Sequence, residues 1–346
     1  MINLNEKKQF FLSNNSYSLI SLMIPVGVIV FLLAAGFSYL LKKNVNKPQE
    51  LLAVSGAEKV KAQQRESKPS PNYLKEEQEE QDKQEYPKLK EGITIKKDWK
   101  AESVLVKDHK TGKILLSKNI HKQHPLASIT KLMSALVLLN SIDDWNKRIT
   151  VATNDMPDSL VDSGEIYSAS QLWSASLIGS SNKSIFSLVD SLNWPKQAFL
   201  QRMNKKAQDL QMKDTYFAGV TGLNKESIST AEDISLLLNE VMKHKKIQQP
   251  LTTEEIKLKP INQQETNHVW NTDWLLLGWI PNKLGRIYGG KTGHIEAAGY
   301  NFTVQVSDKQ GHVLDIVVLG AKNHEARFKV AREAARWVFD NYKWQE

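Results

Sequence analysis

Apolar and polar residues change their period several times along this chain, and each change marks an element. Residues 19–41 run Leu-Ile-Ser-Leu-Met-Ile-Pro-Val-Gly-Val-Ile-Val-Phe-Leu-Leu-Ala-Ala-Gly-Phe-Ser-Tyr-Leu-Leu, with no charge, and Lys42-Lys43 closes the run. About 20 such residues span a bilayer core as a helix, so this stretch predicts a transmembrane anchor after a short tail, 1–18. A cleaved signal peptide is the rival reading. Ala34-Ala35-Gly36 offers small residues for cleavage, but the run is long for a signal peptide, and the uncleaved anchor is preferred. Flanking charge gives the orientation little support. Lys7 and Lys8 precede the span, while Lys42, Lys43 and Lys47 follow it, which leans against an exterior C-terminal side.

The pattern then vanishes. Residues 42–95 are rich in Lys, Glu and Gln, carry Pro48, Pro69, Pro71 and Pro87, and hold few large apolar residues. Such a segment buries too little surface to offset the entropy of ordering it, so it reads as a solvated tether. From residue 96 onward the pattern returns. Alternation predicts strands at 102–107 and 114–118. Helical spacing fills 128–142, 168–178, 182–192, 196–210 and 230–243, and further strands fall near 286–292, 299–307 and 312–320. Arg327 to Tyr342 closes as a helix with Val330, Ala334, Trp337 and Val338 on one face. Strands at both ends of a helical middle predict an α+β body, with an antiparallel sheet flanked by helices beside a mainly helical region.

Composition narrows the chemistry. The chain has 346 residues, a net charge of +8 and no cysteine. Disulfides, thiolate nucleophiles, thiolate metal sites and a cysteine-linked lipid anchor are therefore excluded. The lysines are scattered, with no basic stripe interleaved with aromatics, so nucleic acid is not an expected partner and an anionic wall or lipid surface is. His121 and His124 have neither a third histidine nor a carboxylate close in sequence, and they read as surface residues rather than metal ligands. Neither a metal nor a cofactor is expected. Trp270, Trp274 and Trp279 read as packing residues rather than a sugar platform.

Candidate chemistry begins at Ser128-Ile129-Thr130-Lys131, at the head of an apolar helical run. Residues i and i+3 share a helix face. A lysine among apolar neighbours loses hydration, its pKa falls, and the neutral amine can take a serine's proton. Alone, the spacing fits an ordinary helix start with Ser128 as N-cap. Downstream, however, lie Ser180-Ser181-Asn182 and Lys291-Thr292-Gly293, which complete the ordered set S-x-x-K, S-x-N and K-T-G. Two decoys fail on context. Lys110-Thr111-Gly112 sits in a predicted hairpin turn, and Ser191-Leu192-Asn193 precedes the helix-ending Trp194-Pro195.

With these motifs the chain resembles the D-alanyl-D-alanine carboxypeptidases, the low-molecular-weight penicillin-binding proteins, over residues 98–341. Further matching segments are Pro125-Leu126-Ala127, Gly164-Glu165, Phe199 to Ala207, Thr221-Gly222-Leu223, Ser229 to Asp233, Asn271-Thr272-Asp273, and Gly290 to Tyr300. The resemblance implies a β-lactamase-like fold with its active site between sheet and helical region. Many members add a C-terminal β domain, which is not expected here. It implies Ser128 as the acylated nucleophile, Lys131 as its base and Ser180 as a proton relay. Asn182 would bind the substrate backbone, and Lys291 and Thr292, with Gly293, its terminal carboxylate. The backbone N–H groups of Ser128 and His294 would form the oxyanion hole. The expected substrates are peptidoglycan stem peptides, with β-lactams as acylating inhibitors. The implied function is a membrane-anchored, extracytoplasmic D,D-carboxypeptidase occupying residues 96–346. A D,D-endopeptidase and a catalytically weak wall-binding protein are the alternatives. A β-lactamase is disfavoured, because no glutamate-bearing deacylating loop is evident. Two positions depart from the family pattern: Lys183-Ser184 stand where Asp-Ala is usual, and Ile295 where threonine is usual.

Overall fold

Strands from both ends of the body meet in one antiparallel sheet. The computed structural model describes residues 86–94, 98–153, 155–195 and 197–344. The expected tail, the anchor at 19–41 and most of the linker lie outside the described residues. No helix among those described is long and apolar enough to cross a membrane. The sheet comprises β1 (Ser103–Asp108), β2 (Ile114–Lys118), β3 (Arg286–Ile295), β4 (Gly299–Ser307) and β5 (Val313–Ala321), in spatial order β3-β4-β5-β1-β2. The two N-terminal strands thus complete a sheet begun by the three late ones, as the alternation predicts.

Among the described residues seven α-helices accompany it: α1 (Thr130–Leu139), α2 (Ala169–Ile178), α3 (Asn182–Asp190), α4 (Ala198–Asp209), α5 (Ala231–Met242), α6 (Lys245–Leu251) and α7 (His324–Asn341). Side chains alternate across a strand, and β1 and β5 use both faces. Val104, Val106, Ile316 and Val318 pack with Phe328, Ala331, Ala334 and Val338 of α7. Leu105, Val317 and Leu319 turn instead into a second core shared with α1 to α6. Both cores exclude water, so the sheet is an interior layer with helices on each side. Local chemistry starts the helices where the pattern breaks. Ser168 and Gln171 form a reciprocal capping box on α2, Thr230 accepts from Asp233 N–H on α5, and Asn323 accepts from Ala326 N–H on α7.

The structure decides several readings left by the sequence, and corrects the placing of His124 at the surface. Ser128 is no N-cap: it lies in a single 3-10 turn, Ala127–Ile129, and its side chain caps nothing. The apolar pattern could not show this, because the turn is set by tertiary contacts. His124 is buried rather than superficial, with Nε2 2.8 Å from the Ala298 carbonyl oxygen, while His121 does lie exposed beside Glu232. Helix α6 went unpredicted because Pro250 falls inside it. Trp274 and Trp279 are buried and Trp270 packs against them, Trp274 lying parallel to Phe328 at 5.8 Å. Lys110-Thr111-Gly112 forms the β1–β2 turn, where Thr111 donates through its N–H and hydroxyl to one Asp108 carboxylate oxygen.

The turn carrying Ser128 is braced by glycine. Ala127 has φ 49°, a left-handed conformation unusual for alanine. Behind it, Gly222 has φ 89°, and a Cβ there would stand 1.9 Å from the Ala127 carbonyl oxygen. Gly222→Ala is expected to cost about 3 kcal/mol or more in unfolding free energy, measured by urea denaturation. A loss below about 1 kcal/mol would show that the turn relaxes freely.

Candidate active site

The three motifs reach one cleft from different elements. Lys131 follows the 3-10 turn on α1 and is completely buried. Its amine donates to Asn182 Oδ1 at 2.7 Å and to the Thr221 carbonyl oxygen at 2.9 Å. Ser128 Oγ lies 2.8 Å from the same nitrogen. Both oxygens of the first pair can only accept. A neutral amine has two N–H groups and one lone pair, so the two carbonyls take both hydrogens and the lone pair faces the Ser128 hydroxyl. Burial lowers the Lys131 pKa to about 7, and the charge of Asp158 opposes that shift.

Ser180 sits between α2 and α3 with φ 66°, again left-handed. Gly179 before it has no room for a side chain, since a Cβ would stand 2.4 Å from Leu160 and from Val269. Ser180 Oγ accepts from Lys291 Nζ at 2.8 Å. Lys291 is buried on β3, and its pKa is pushed well down by that burial and by the charges of Lys131 and Arg327. Two serine–lysine pairs therefore face each other, and each ammonium disfavours the other's charge. Asn182, at the start of α3, is fixed at both ends of its amide: Oδ1 on Lys131 and Nδ2 on the Pro157 carbonyl oxygen at 2.8 Å.

Strand β3 closes the cleft. Thr292 Oγ1 donates to Thr272 Oγ1 at 2.7 Å. A Cβ on Gly293 would be 3.2 Å from the Ser128 backbone nitrogen and 2.7 Å from the Leu126 carbonyl oxygen, so glycine lets β3 approach the turn. The backbones of Ser128 and of Gly293-His294 thus run side by side. The His294 ring is exposed, stacked on Tyr300 at 4.0 Å, with Nδ1 2.8 Å from the Gly299 carbonyl oxygen. Lys183 and Ile295, the two departures, are both half-buried.

The residues singled out from sequence thus fall into two bonded sets, Ser128–Lys131–Asn182 and Ser180–Lys291, with Thr292, Gly293 and His294 along the adjoining strand. Among the described residues no cluster of three or more His, Cys, Asp or Glu could hold a metal.

A family model described as D-alanyl-D-alanine carboxypeptidase matches residues 90–323. The chain belongs to that family. It is 32% identical over 257 residues to a D-alanyl-D-alanine endopeptidase of Pseudomonas aeruginosa, covering 73% of this chain and 81% of that one. It is 28% identical to the D-alanyl-D-alanine carboxypeptidase DacF of Bacillus subtilis, covering 70% of this chain and 63% of that one. Among solved structures, penicillin-binding protein D2 of Listeria monocytogenes in its cefotaxime-bound form gives a TM-score of 0.61 at 26% identity, over 71% of this chain and all of that one. A D-alanyl-D-alanine carboxypeptidase from Mycobacterium tuberculosis shares the fold, with a TM-score of 0.62 at 23% identity over 73% and 95% of the two chains.

For this D-alanyl-D-alanine carboxypeptidase family member, sequence reasoning assigned no role to Thr221, Thr272, Asp273, Arg327 or Asp158. The segments Thr221-Gly222-Leu223 and Asn271-Thr272-Asp273 carried the resemblance, yet nothing in their composition marks a contact made across 90 residues by one carbonyl. Behind β3, Asp273 is fully buried. One carboxylate oxygen accepts from the N–H groups of Leu275 and Leu276, and the other has no hydrogen-bond partner. Burial pushes its pKa up to about 6. Arg327, also buried, donates to the Gly293 carbonyl oxygen at 3.3 Å, and burial lowers it to about 9.

A buried lysine makes stability depend on pH. Its folded pKa, about 7, lies below the ordinary 10.5. Between those values the unfolded chain holds a proton that the folded chain releases, so the lysine's contribution to stability rises with pH across that window. Lys131→Met removes this dependence. The difference in Tm between wild type and Lys131→Met is expected to shift in favour of wild type from pH 7 to pH 10, read by circular dichroism. A constant difference would mean that the buried amine keeps its proton.

Proposed function

We propose that this chain is a serine D,D-carboxypeptidase that removes the terminal D-alanine of peptidoglycan stem peptides. One observation carries the reading: a buried amine has two carbonyl acceptors and the Ser128 hydroxyl within hydrogen-bond distance, so that in its neutral form the carbonyls take its N–H groups and its lone pair is left for Ser128. The amine of Lys131 accepts the hydroxyl proton as Ser128 Oγ bonds to the carbonyl carbon of the penultimate D-alanine. The bond from that carbon to the terminal nitrogen then breaks. Ser180 passes a proton to the departing amine, drawing on Lys291, its partner at 2.8 Å. Water hydrolyses the ester and frees Ser128. Asn182 binds the substrate backbone, and Lys291 and Thr292 bind the terminal carboxylate beside Gly293. The N–H groups of Ser128 and His294 stabilise the oxyanion, each worth on the order of 10²–10³ in rate. β-Lactams acylate the same serine.

A second reading, D,D-endopeptidase action on cross-links, draws on the Pseudomonas aeruginosa relative named for that activity. Release of free D-alanine from a monomeric pentapeptide, against cleavage of a cross-linked dimer, separates the two.

A fluorescent penicillin followed by intact-mass spectrometry tests the shared chemistry. The adduct is expected on Ser128. Ser128→Ala and Lys131→Ala lower acylation by on the order of 10³-fold or more, because members of a catalytic unit fail together. Lys291→Ala impairs it, while Lys110→Ala in the β1–β2 turn leaves it unchanged. Only the neutral amine accepts a proton, so the rate rises with pH and levels off above about 7. An unmodified wild-type protein, or an adduct elsewhere, sinks the mechanism.

We also propose that residues 19–41 anchor the chain in the membrane with residues 96–346 outside. The apolar length and the external position of stem peptides support this, and the intervening 42–95 would reach well over 100 Å at about 3.3 Å per residue. Protease added to wall-stripped cells is expected to remove the catalytic body and leave a small membrane stub. Survival of the body until lysis places it in the cytoplasm and refutes this topology.

A further inference from the structure

The amide of Asn182 is aimed at Lys131 from outside the three motifs. The loop between the short strands Arg148–Thr150 and Ile166–Ser168 bends over the start of α3. There Asp158 gathers three donors. One carboxylate oxygen accepts from Ser181 Oγ at 2.7 Å and from Lys183 N–H at 2.8 Å, and the other accepts from Leu160 N–H at 2.9 Å. The residue before it, Pro157, supplies the carbonyl that holds Asn182 Nδ2 at 2.8 Å. Residues 181, 182 and 183 are thus all tied to two consecutive loop residues.

We propose that Asp158 is a positioning residue for the Ser128–Lys131 pair, acting through the Ser181–Asn182–Lys183 turn and through its own charge. The inference rests on Lys131 being the base that activates Ser128. Without Pro157 and Asp158, the Asn182 amide is free to turn, and its oxygen no longer fixes which N–H groups of Lys131 are spoken for. An N–H would then face Ser128 for part of the time in place of the lone pair.

Charge adds a second effect. The first turn of α3 carries a base, Lys183, and no acid of its own. Asp158 brings a carboxylate to the same helix start from the facing loop, and anions are favoured at helix N-termini. The charged groups around the Lys131 amine are few. Strand β3 presents Lys291, the loop presents Asp158, and Lys183 lies in the first turn of α3; the loop holding Thr221 offers a neutral carbonyl. Of these, Asp158 favours the protonated form of Lys131. It therefore sets how far burial can lower that amine.

Asp158→Asn discriminates. The amide cannot accept as the carboxylate does and carries no charge. Two readouts are taken. In the first, the rate of acylation by a fluorescent penicillin is followed from pH 5 to 9. The plateau is expected to fall on the order of tenfold. The acidic limb is expected to move down by about half a unit or more, because a neighbouring negative charge is gone. Asp158→Glu, which keeps the charge, returns the limb toward its wild-type position. In the second, lysine-selective carbon-13 NMR, with the signal assigned through Lys131→Arg, follows the Lys131 titration itself, which should move the same way. A lower rate with an unmoved limb marks a merely structural role and overturns the proposal. So does a rate within twofold of wild type while Ser128→Ala abolishes labelling. If penicillin fails to label the wild type, the proposed function falls, and the NMR titration still decides whether Asp158 governs Lys131.

Discussion

The burial of one amine constrains most of what surrounds it. A lysine cut off from water is costly unless its hydrogens are satisfied. Here Asn182 and Thr221 satisfy them from two separate elements. Each supplier needs its own support: Asn182 needs the left-handed Ser180 turn and the loop at Pro157, and Thr221 needs Gly222 to fit behind Ala127. Two left-handed residues, Ala127 and Ser180, fall at these supports. Local strain of this kind persists only where surrounding packing over-determines it, and here two cores enclose it on either side of the sheet.

Behind β3 the chain buries further charges among apolar residues such as Trp274, Leu275 and Phe328. Lys291, Asp273 and Arg327 lie close enough to shift one another, and burial dominates each shift toward the neutral form. Replacing such a group by a well-packed hydrophobe is often neutral or stabilising. The cluster therefore reads as a cost borne by the site.

Much of this was legible in advance, for identifiable reasons. The sheet was legible because Val104, Val106, Val304, Val306, Ile316 and Val318 impose a period of two, and α7 because Val330, Ala334 and Val338 repeat at helical spacing. The motif residues were legible because chemistry restricts their type and order. The 3-10 turn at Ser128 was not, because the reason for it lies at Gly222 and Gly293, distant in sequence. Helix α6 was hidden by Pro250, and His124 by a carbonyl partner 174 residues away. Contacts made by backbone atoms, such as those of Thr221 and Pro157, leave no trace in residue type, so periodicity and motif spacing are equally blind to them.

Strand β3 stands at the edge of the five-stranded sheet, beside the cleft. An edge strand is a template for any extended backbone that lies along it. A peptide docked there is recognised first by its conformation, through main-chain groups that every residue shares, and only then by its end group. An edge of this kind is indifferent to the identity of most side chains on the peptide it pairs with. It is also a part of the cleft that side-chain substitution cannot delete, so an alanine scan along the strand would register Lys291 and Thr292 and pass over its main-chain groups.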